Sequence, residues 1–226
     1  MLKFIATVHE KIQETPRVVR VLLVAPEFKS LAFRPGQWIG ISADHLLGEN
    51  KRPLRRAFSV ASSPKAEYLE LCVARGKSLS AFLQDAPIGT KLNIDGPYGT
   101  FWLKPAEKYL FVAGGTGVAP FRPMIKEALN NEKEVVLIYS FKTPEDFIYR
   151  EEFEVLKGKF TLITTITRFD THWKGEKGRA QTILHKYWKP GFAAYICGPV
   201  AMVEEVHKRL INLGQSAKEI FIEKWE

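Results

Sequence analysis

From Tyr109 onward the chain repeats one pattern, a short apolar run followed by an amphipathic one, and this repetition constrains the fold more than any other feature. Strands are predicted over Tyr109–Ala113, Val135–Phe141, Phe160–Thr167, Ala194–Cys197 and Ile220–Trp225. Helices are predicted near Pro120–Asn130 and over Glu145–Leu156, Gln181–Tyr187 and Ala201–Leu213. Strands joined by helical crossovers pack as a doubly wound α/β sheet, here five-stranded and mainly parallel. Ligands of such sheets bind outside the carboxyl ends of the strands. The residues just past each strand are therefore the candidates: Gly114-Gly115-Thr116-Gly117, Lys142-Thr143, Arg168, Cys197-Gly198-Pro199 and Glu223-Lys224-Trp225-Glu226.

The stretch "VAGGTGVAP", Val112 to Pro120, contains Gly115-x-Gly117, but Pro120 stands where the dinucleotide fingerprint needs its third Gly or Ala. Pro120 suits the first turn of a helix, leaving neighbouring N–H groups free to meet an anion. The glycines serve either a pyrophosphate or close packing of strand and helix, and the stretch alone does not separate the two.

Before Lys104-Pro105 the pattern is different. Short β-branched runs, Lys3–Val8, Val18–Val24, Trp38–Ser42, Ala57–Ala61, Tyr68–Ala74 and Lys91–Ile94, are broken by turn residues and by one short helix, Leu79–Asp85. They predict a six-stranded antiparallel β-barrel, with Asp44–Lys51 as an exposed loop. The chain thus reads as two domains, 1–104 and 105–226.

Within "RRAFSVASS", alternation puts Arg56, Phe58 and Val60 on one face of a strand and Ala57, Ser59 and Ala61 on the other. An arginine and an aromatic on one face can clamp a phosphate and stack a flat ring, or can be the ordinary exterior of an edge strand. Arg75-Gly76-Lys77-Ser78 is not a P-loop, because position 71, where the first glycine belongs, is Leu71. Gly76 to Ser80 still opens a helix with Lys77 and two hydroxyls, which suits phosphate as well as it suits helix capping by Ser78.

Composition removes several classes of function. Two cysteines, Cys72 and Cys197, cannot build a disulfide framework, a zinc site or an iron–sulfur cluster, so redox chemistry would ride on an organic cofactor. The five histidines are scattered without metal-ligand spacing. A net charge of +8 favours an acidic partner or anionic ligand, but the basic residues are not clustered as nucleic acid requires. No apolar run is long enough to span a bilayer and no cleavage site follows the N-terminus, so a soluble cytoplasmic protein is expected.

Taken in this order, the motifs resemble the ferredoxin–NADP reductase family of flavoenzymes over nearly the whole chain. "RAFS", Arg56-Ala57-Phe58-Ser59, is similar to the family's flavin motif. The resemblance implies that Arg56 binds the FAD pyrophosphate, Phe58 stacks on the isoalloxazine and Ser59 approaches N5. "GKSLS", Gly76-Lys77-Ser78-Leu79-Ser80, resembles the segment that cradles the pyrophosphate, with Lys77 where many relatives have glycine. "GGTGVAP" resembles the nicotinamide-nucleotide loop, with Gly115, Thr116 and Gly117 meeting the dinucleotide, and "CGPVAM" the segment whose Cys197, Gly198 and Pro199 lie beside the nicotinamide. The ending "FIEKWE" resembles the terminal Glu-x-aromatic, which implies Glu223 beside Ser59 and Cys197 at the reacting atoms and Trp225 over the flavin; Glu226 after the aromatic is a departure. "YREEF", Tyr149 to Phe153, and Thr167-Arg168 fall near segments that hold the adenosine end.

The chemistry implied is hydride transfer between NADPH or NADH and FAD, followed by passage of single electrons to an acidic carrier such as ferredoxin or flavodoxin. Ser59 would hydrogen-bond N5, Glu223 would relay a proton, and Cys197 would act as a soft contact rather than a nucleophile. The alternatives are a flavin reductase that releases reduced flavin, disfavoured by Gly76–Ser80, and the electron-transfer subunit of a larger redox complex, disfavoured by the lack of a C-terminal cysteine cluster.

Overall fold

Short β-branched segments with period-two alternation form β1 (Leu2–Thr15), β2 (Val18–Val24), β3 (Trp38–Leu47), β4 (Pro53–Ser59), β5 (Leu69–Ala74) and β6 (Lys91–Tyr98), with helix α1 (Leu79–Asp85) between the last two. These coordinates are a computed structural model that describes residues 2–48, 51–168 and 170–225. The strands make one antiparallel sheet in the order β4-β3-β6-β1-β2-β5. Alternation sends Val19, Val21 and Leu23, Ile39 and Ile41, Leu69, Leu71 and Val73, and Leu92 and Ile94 into one core. Leu79 and Leu83, one turn apart on α1, are fully buried in the same core.

The two outer strands of this sheet meet. Just past β4, Ala61 N–H donates to Glu70 C=O on β5 at 2.8 Å, and Glu70 N–H donates to Ser62 Oγ at 3.1 Å. The sheet therefore curls towards a barrel and leaves little unpaired edge. Glu70 itself is fully buried, its carboxylate held by Arg20 through Nε and Nη2 at 2.9 Å each. A carboxylate at that depth is tolerable only because it is paired.

The chain divides into two units, Met1–Trp102 and Leu103–Glu226. The second contains β7 (Lys108–Gly114), α2 (Phe121–Asn130), β8 (Glu134–Phe141), α3 (Arg150–Glu154), β9 (Phe160–Ile166), β10 (Glu176–Lys177), α4 (Ala180–Tyr187), β11 (Phe192–Pro199), α5 (Val200–Asn212) and β12 (Ile220–Trp225). All pairings are parallel, in the order β10-β9-β8-β7-β11-β12. The chain builds outward from β7 in one direction and then returns to build β11 and β12 on the other side. The switch point thus lies between β7 and β11. Leu110, Val112, Ile138 and Ile196 of the sheet pack against Ile183 and Leu184 of α4 and Val203, Val206 and Leu210 of α5.

Three local expectations need correction. The five parallel strands gain a sixth, β10, whose two residues are too few to show any periodicity. The helix expected over Glu145–Leu156 is a short 3-10 turn, Pro144–Asp146, and then the five-residue α3. Phe147, Ile148 and Tyr149 between them are buried, and Tyr149 takes a left-handed φ of 58° that breaks the helix. The segment expected as a loop from Asp44 is strand as far as Leu47, which pairs with Pro53 across an irregular register; its residues 49 and 50 lie outside those described.

Candidate functional site

At the switch point, β7 ends in Gly114 and a 3-10 turn, Gly115–Val118, begins at once. Pro120 sits at the N-cap of α2 with φ of −65°, as a proline before a helix should, so the N–H groups nearest the strand's end belong to the 3-10 turn. The glycines of this loop do different work. A Cβ on Gly117 would lie 2.3 Å from the Cys197 carbonyl oxygen, so this glycine lets the loop press against the end of β11. Gly115 has φ of +53° and nothing within 4 Å of its missing Cβ. Its conformation favours glycine and its outer side is open. Close packing thus accounts for Gly117 and does not account for Gly115. Thr116 is half-buried, and its hydroxyl has no partner among the described residues.

Sheet register brings the other candidates of this unit beside the loop. Cys197 pairs with Ala113 on one side and with Glu223 on the other; Pro199 pairs with Trp225. Cys197 and Gly198 are buried, Pro199 and Trp225 are exposed and Glu223 is half-buried. Burial pushes the Cys197 thiol well above its ordinary range, and the neighbouring Glu223 charge pushes it the same way. The sulfur is therefore a protonated, soft surface and not a thiolate. Glu226 lies outside the described residues. Thr167 and Arg168 follow β9 and are exposed, their N–H groups tied to the Phe141 and Lys142 carbonyls at 2.9 Å each. Tyr149 and Phe153 of "YREEF" are buried, with the Arg122 guanidinium 4.6 Å from the Tyr149 ring centre; they belong to the core rather than to an open surface.

Two contributors were given no role by the sequence, although Met202 closes the "CGPVAM" stretch. Tyr139 of β8 is fully buried, and its hydroxyl donates to the Gly115 carbonyl at 3.1 Å, holding the open glycine from beneath. Met202 of α5 fills the space beside Gly114, where a Cβ would lie 2.6 Å from its sulfur. Each reads as an ordinary apolar residue of a strand or helix.

In the first unit, two adjacent arginines on β4 have opposite environments. Arg55 is bound through Nε to Asp95 at 2.8 Å and lies over the rings of Trp38 and Tyr98. Arg56 is exposed, and its guanidinium has no ion pair or hydrogen bond among the described residues. Its register partner is buried Ile41, and that of Phe58 is buried Ile39. Arg56, Phe58 and Val60 therefore share the core side of β4, with Phe58 half-buried against the core and Val60 fully buried. This overturns the reading of that face as an edge strand's exterior. Ala57 and Ser59 take the outer face, exposed and half-buried respectively.

The segment Gly76-Lys77-Ser78 is exposed, whereas Leu79 is fully buried and anchors it, with Ser80 half-buried. Ser78 has φ of 51° and makes no capping bond, so the capping explanation for this serine fails. A Cβ on Gly76 would meet only Ser80, at an ordinary 3.5 Å, so internal packing does not demand glycine there. The exposed Arg56 guanidinium, the Lys77 ammonium and the hydroxyls of Ser78 and Ser80 are donors of the types that suit a pyrophosphate.

Together, a curled antiparallel sheet with this donor set and a doubly wound sheet with a glycine loop at its switch point define a two-domain flavin- and nicotinamide-dependent oxidoreductase. Comparison with known proteins agrees. The oxidoreductase FAD-binding domain matches residues 5–102 and the oxidoreductase NAD-binding domain residues 111–208. Ferredoxin–NADP reductase B of Sorangium cellulosum is 29% identical over 217 residues, 88% of this chain and 87% of that protein. Sulfhydrogenase 1 subunit gamma of Pyrococcus furiosus is 27% identical over 226 residues, 92% of this chain and 74% of that protein. The structure of a ferredoxin NADP+ reductase from Neisseria gonorrhoeae with bound FAD and NADP shares the fold, with a TM-score of 0.85, 21% identity and 98% of each chain covered. The chain belongs to the ferredoxin reductase-like family of FAD- and NAD(P)-binding oxidoreductases.

Proposed function

We propose that this oxidoreductase oxidises NADPH or NADH and passes the electrons to a small acidic carrier of the ferredoxin or flavodoxin kind. The observation that carries the reading is coverage: one chain holds both domains, and ferredoxin–NADP reductase B is similar to it across 88% of its length. FAD, when bound, converts a two-electron donor into a source of single electrons.

The chain's own residues then have separate tasks. Arg56, Lys77, Ser78, Ser80 and the backbone at Gly76 and Leu79 neutralise and orient the flavin pyrophosphate. Ala57 and Ser59 approach the flavin ring from β4, with the Ser59 hydroxyl directed to N5, while the half-buried Phe58 stacks on the isoalloxazine. Gly115, Thr116 and Gly117 receive the dinucleotide, with Thr167 and Arg168 at its adenosine end. Cys197, Gly198 and Pro199 shape the nicotinamide pocket, Trp225 provides an aromatic surface, and Glu223 holds or moves a proton.

The test is direct. Purified protein should retain FAD through gel filtration and reduce ferricyanide with NAD(P)H. Charge-assisted hydrogen bonds contribute about 1.5–3 kcal/mol, so Arg56→Ala should weaken FAD roughly ten- to a hundredfold. Ser59→Ala should keep FAD bound and slow its reduction in stopped flow. Free reduced flavin as the product would identify a flavin reductase and defeat the proposal. A second reading, the electron-transfer subunit of a larger complex, draws support from the similarity to the sulfhydrogenase gamma subunit. A stoichiometric partner that co-purifies and is required for carrier reduction would favour it.

A further inference from the structure

In the segment that joins β9 to β10, Trp173 is half-buried between the exposed His172 and Lys174. Three contacts fix its indole. Nε1–H donates to the Glu176 carbonyl at 2.9 Å. The ring meets Phe141, the buried last residue of β8, with centres 5.7 Å apart and planes at 85°. A Cβ on Gly175 would fall 2.8 Å from each of Nε1, Cε2 and Cζ2, so any side chain there would push the indole aside. Glu176 is itself held. Its backbone pairs with Thr165, and α4 grips its carboxylate through Lys186 Nζ at 2.9 Å and the Tyr187 hydroxyl at 2.6 Å. The one polar group of Trp173 is thus bonded inside its own segment, and what the residue still offers is ring surface.

We infer that Trp173 is the surface on which the adenine of NAD(P)H stacks. Phe141 ends β8, so the indole against it stands at the carboxyl edge of the sheet, where ligands of doubly wound sheets bind. Strand order then gives the ligand a direction. Nicotinamide is proposed at Cys197 of β11 and the glycine loop follows β7, so the rest of the dinucleotide runs over β8 towards β9. At about 4.8 Å per strand, β9 lies roughly 10 Å from β7, on the side away from the nicotinamide. Backbone pairing sets Arg168 beside Lys142, N–H to carbonyl at 2.9 Å, and both residues are exposed. Two cations and a fixed aromatic ring at one edge suit a nucleotide: the charges serve phosphate and the ring serves the base. The inference rests on the proposed placing of the adenosine end at Thr167 and Arg168, and adds to it the residue that receives the base.

The experiment is calorimetric titration of the full-length, flavin-loaded protein with 5′-AMP and with ribose 5-phosphate, which lacks the base. AMP should bind the tighter of the two. Trp173→Leu and Trp173→Phe both lose the indole N–H and both keep apolar bulk, but only the second keeps a ring. Stacking on an aromatic side chain is sequence-tolerant and strong enough that Trp173→Leu should weaken AMP about tenfold. Trp173→Phe should weaken it by about threefold or less, and ribose 5-phosphate should bind both variants as it binds the parent protein. In steady state, Trp173→Leu should raise KM for NAD(P)H and leave kcat/KM for reduced nicotinamide mononucleotide, which has no adenine, unchanged. AMP binding no tighter than ribose 5-phosphate, equal losses in the two variants, no loss in either, or a matching loss with the mononucleotide would each overturn the assignment. Arg168→Ala separates this failure from that of the wider reading. AMP weakened by Arg168→Ala and not by Trp173→Leu removes the adenine surface alone, whereas AMP untouched by both removes the proposed placing of the adenosine end.

Discussion

At the scale of single residues, Gly115 and Gly117 make opposite predictions although they are two positions apart. A methyl at Gly117 meets the Cys197 carbonyl at 2.3 Å, which is backbone and cannot rotate away. Gly117→Ala should therefore displace the end of β11 and cost about 1–3 kcal/mol in urea unfolding, as overpacking does. Gly115→Ala meets nothing within 4 Å, so its structural cost is only the left-handed φ of +53°, about 1–2 kcal/mol. Its methyl points into the space proposed for the dinucleotide, so KM for NAD(P)H should rise more than stability falls. A larger stability loss at Gly115 than at Gly117 would defeat this division of labour. The sequence "GGTGVAP" could not assign these roles, because the atom that decides them belongs to Cys197, far along the chain. Tyr139 was illegible for the same reason: its hydroxyl finds the Gly115 carbonyl only once β7 and β8 are in register.

At the scale of elements, β4, β3 and β6 are tied by one contact that crosses the middle strand. Arg55 of β4 reaches over Gly40 of β3 to Asp95 of β6, and any Cβ at Gly40 would fall within 2.4 Å of the guanidinium carbon. The hydrogen bond from Arg55, more than its charge, holds the Asp95 carboxyl below its ordinary value of 3.8. The fold thus prefers the ionised carboxylate. Its contribution is complete above the unfolded value of about 3.9 and fades as pH falls through the lower folded value. The difference in urea midpoint between the protein and Asp95→Asn should be constant above roughly pH 5 and shrink below roughly pH 4. A difference that grows on acidification would mean that the pair does not act this way. Elements of this kind were legible where one periodicity ran for a full segment. Val18–Val24, with Val19, Val21 and Leu23 facing inward, is such a case. They were not legible where tertiary contacts rule, as at β10, which exists because two residues fall beside Thr165 and Ile166. The region from Pro144 to Glu154 shows the same limit: burial of Phe147, Ile148 and Tyr149 overrides a helical sequence pattern.

At the scale of the whole molecule, 33 basic against 25 acidic residues leave a net charge of +8, and no helix among the described residues is long and apolar enough to cross a membrane. Charge of this size acts at a distance on whatever approaches, and it steers an acidic protein more than a neutral small molecule. The interaction range contracts from about 10 Å at 0.1 M salt to about 3 Å at 1 M. With NADPH saturating, so that its own binding does not limit, kcat/KM for a reduced-ferredoxin assay should fall about tenfold or more across that range, the span typical of lost steering. Reduction of an uncharged quinone by the same preparation should change little, because neither its approach nor the flavin's internal chemistry depends on long-range charge. If both activities fall together, salt is acting on cofactor or dinucleotide binding and not on the carrier. If neither falls, the excess of lysine and arginine serves something other than an acidic electron acceptor, and the carrier half of the proposed function fails while the oxidoreductase half stands.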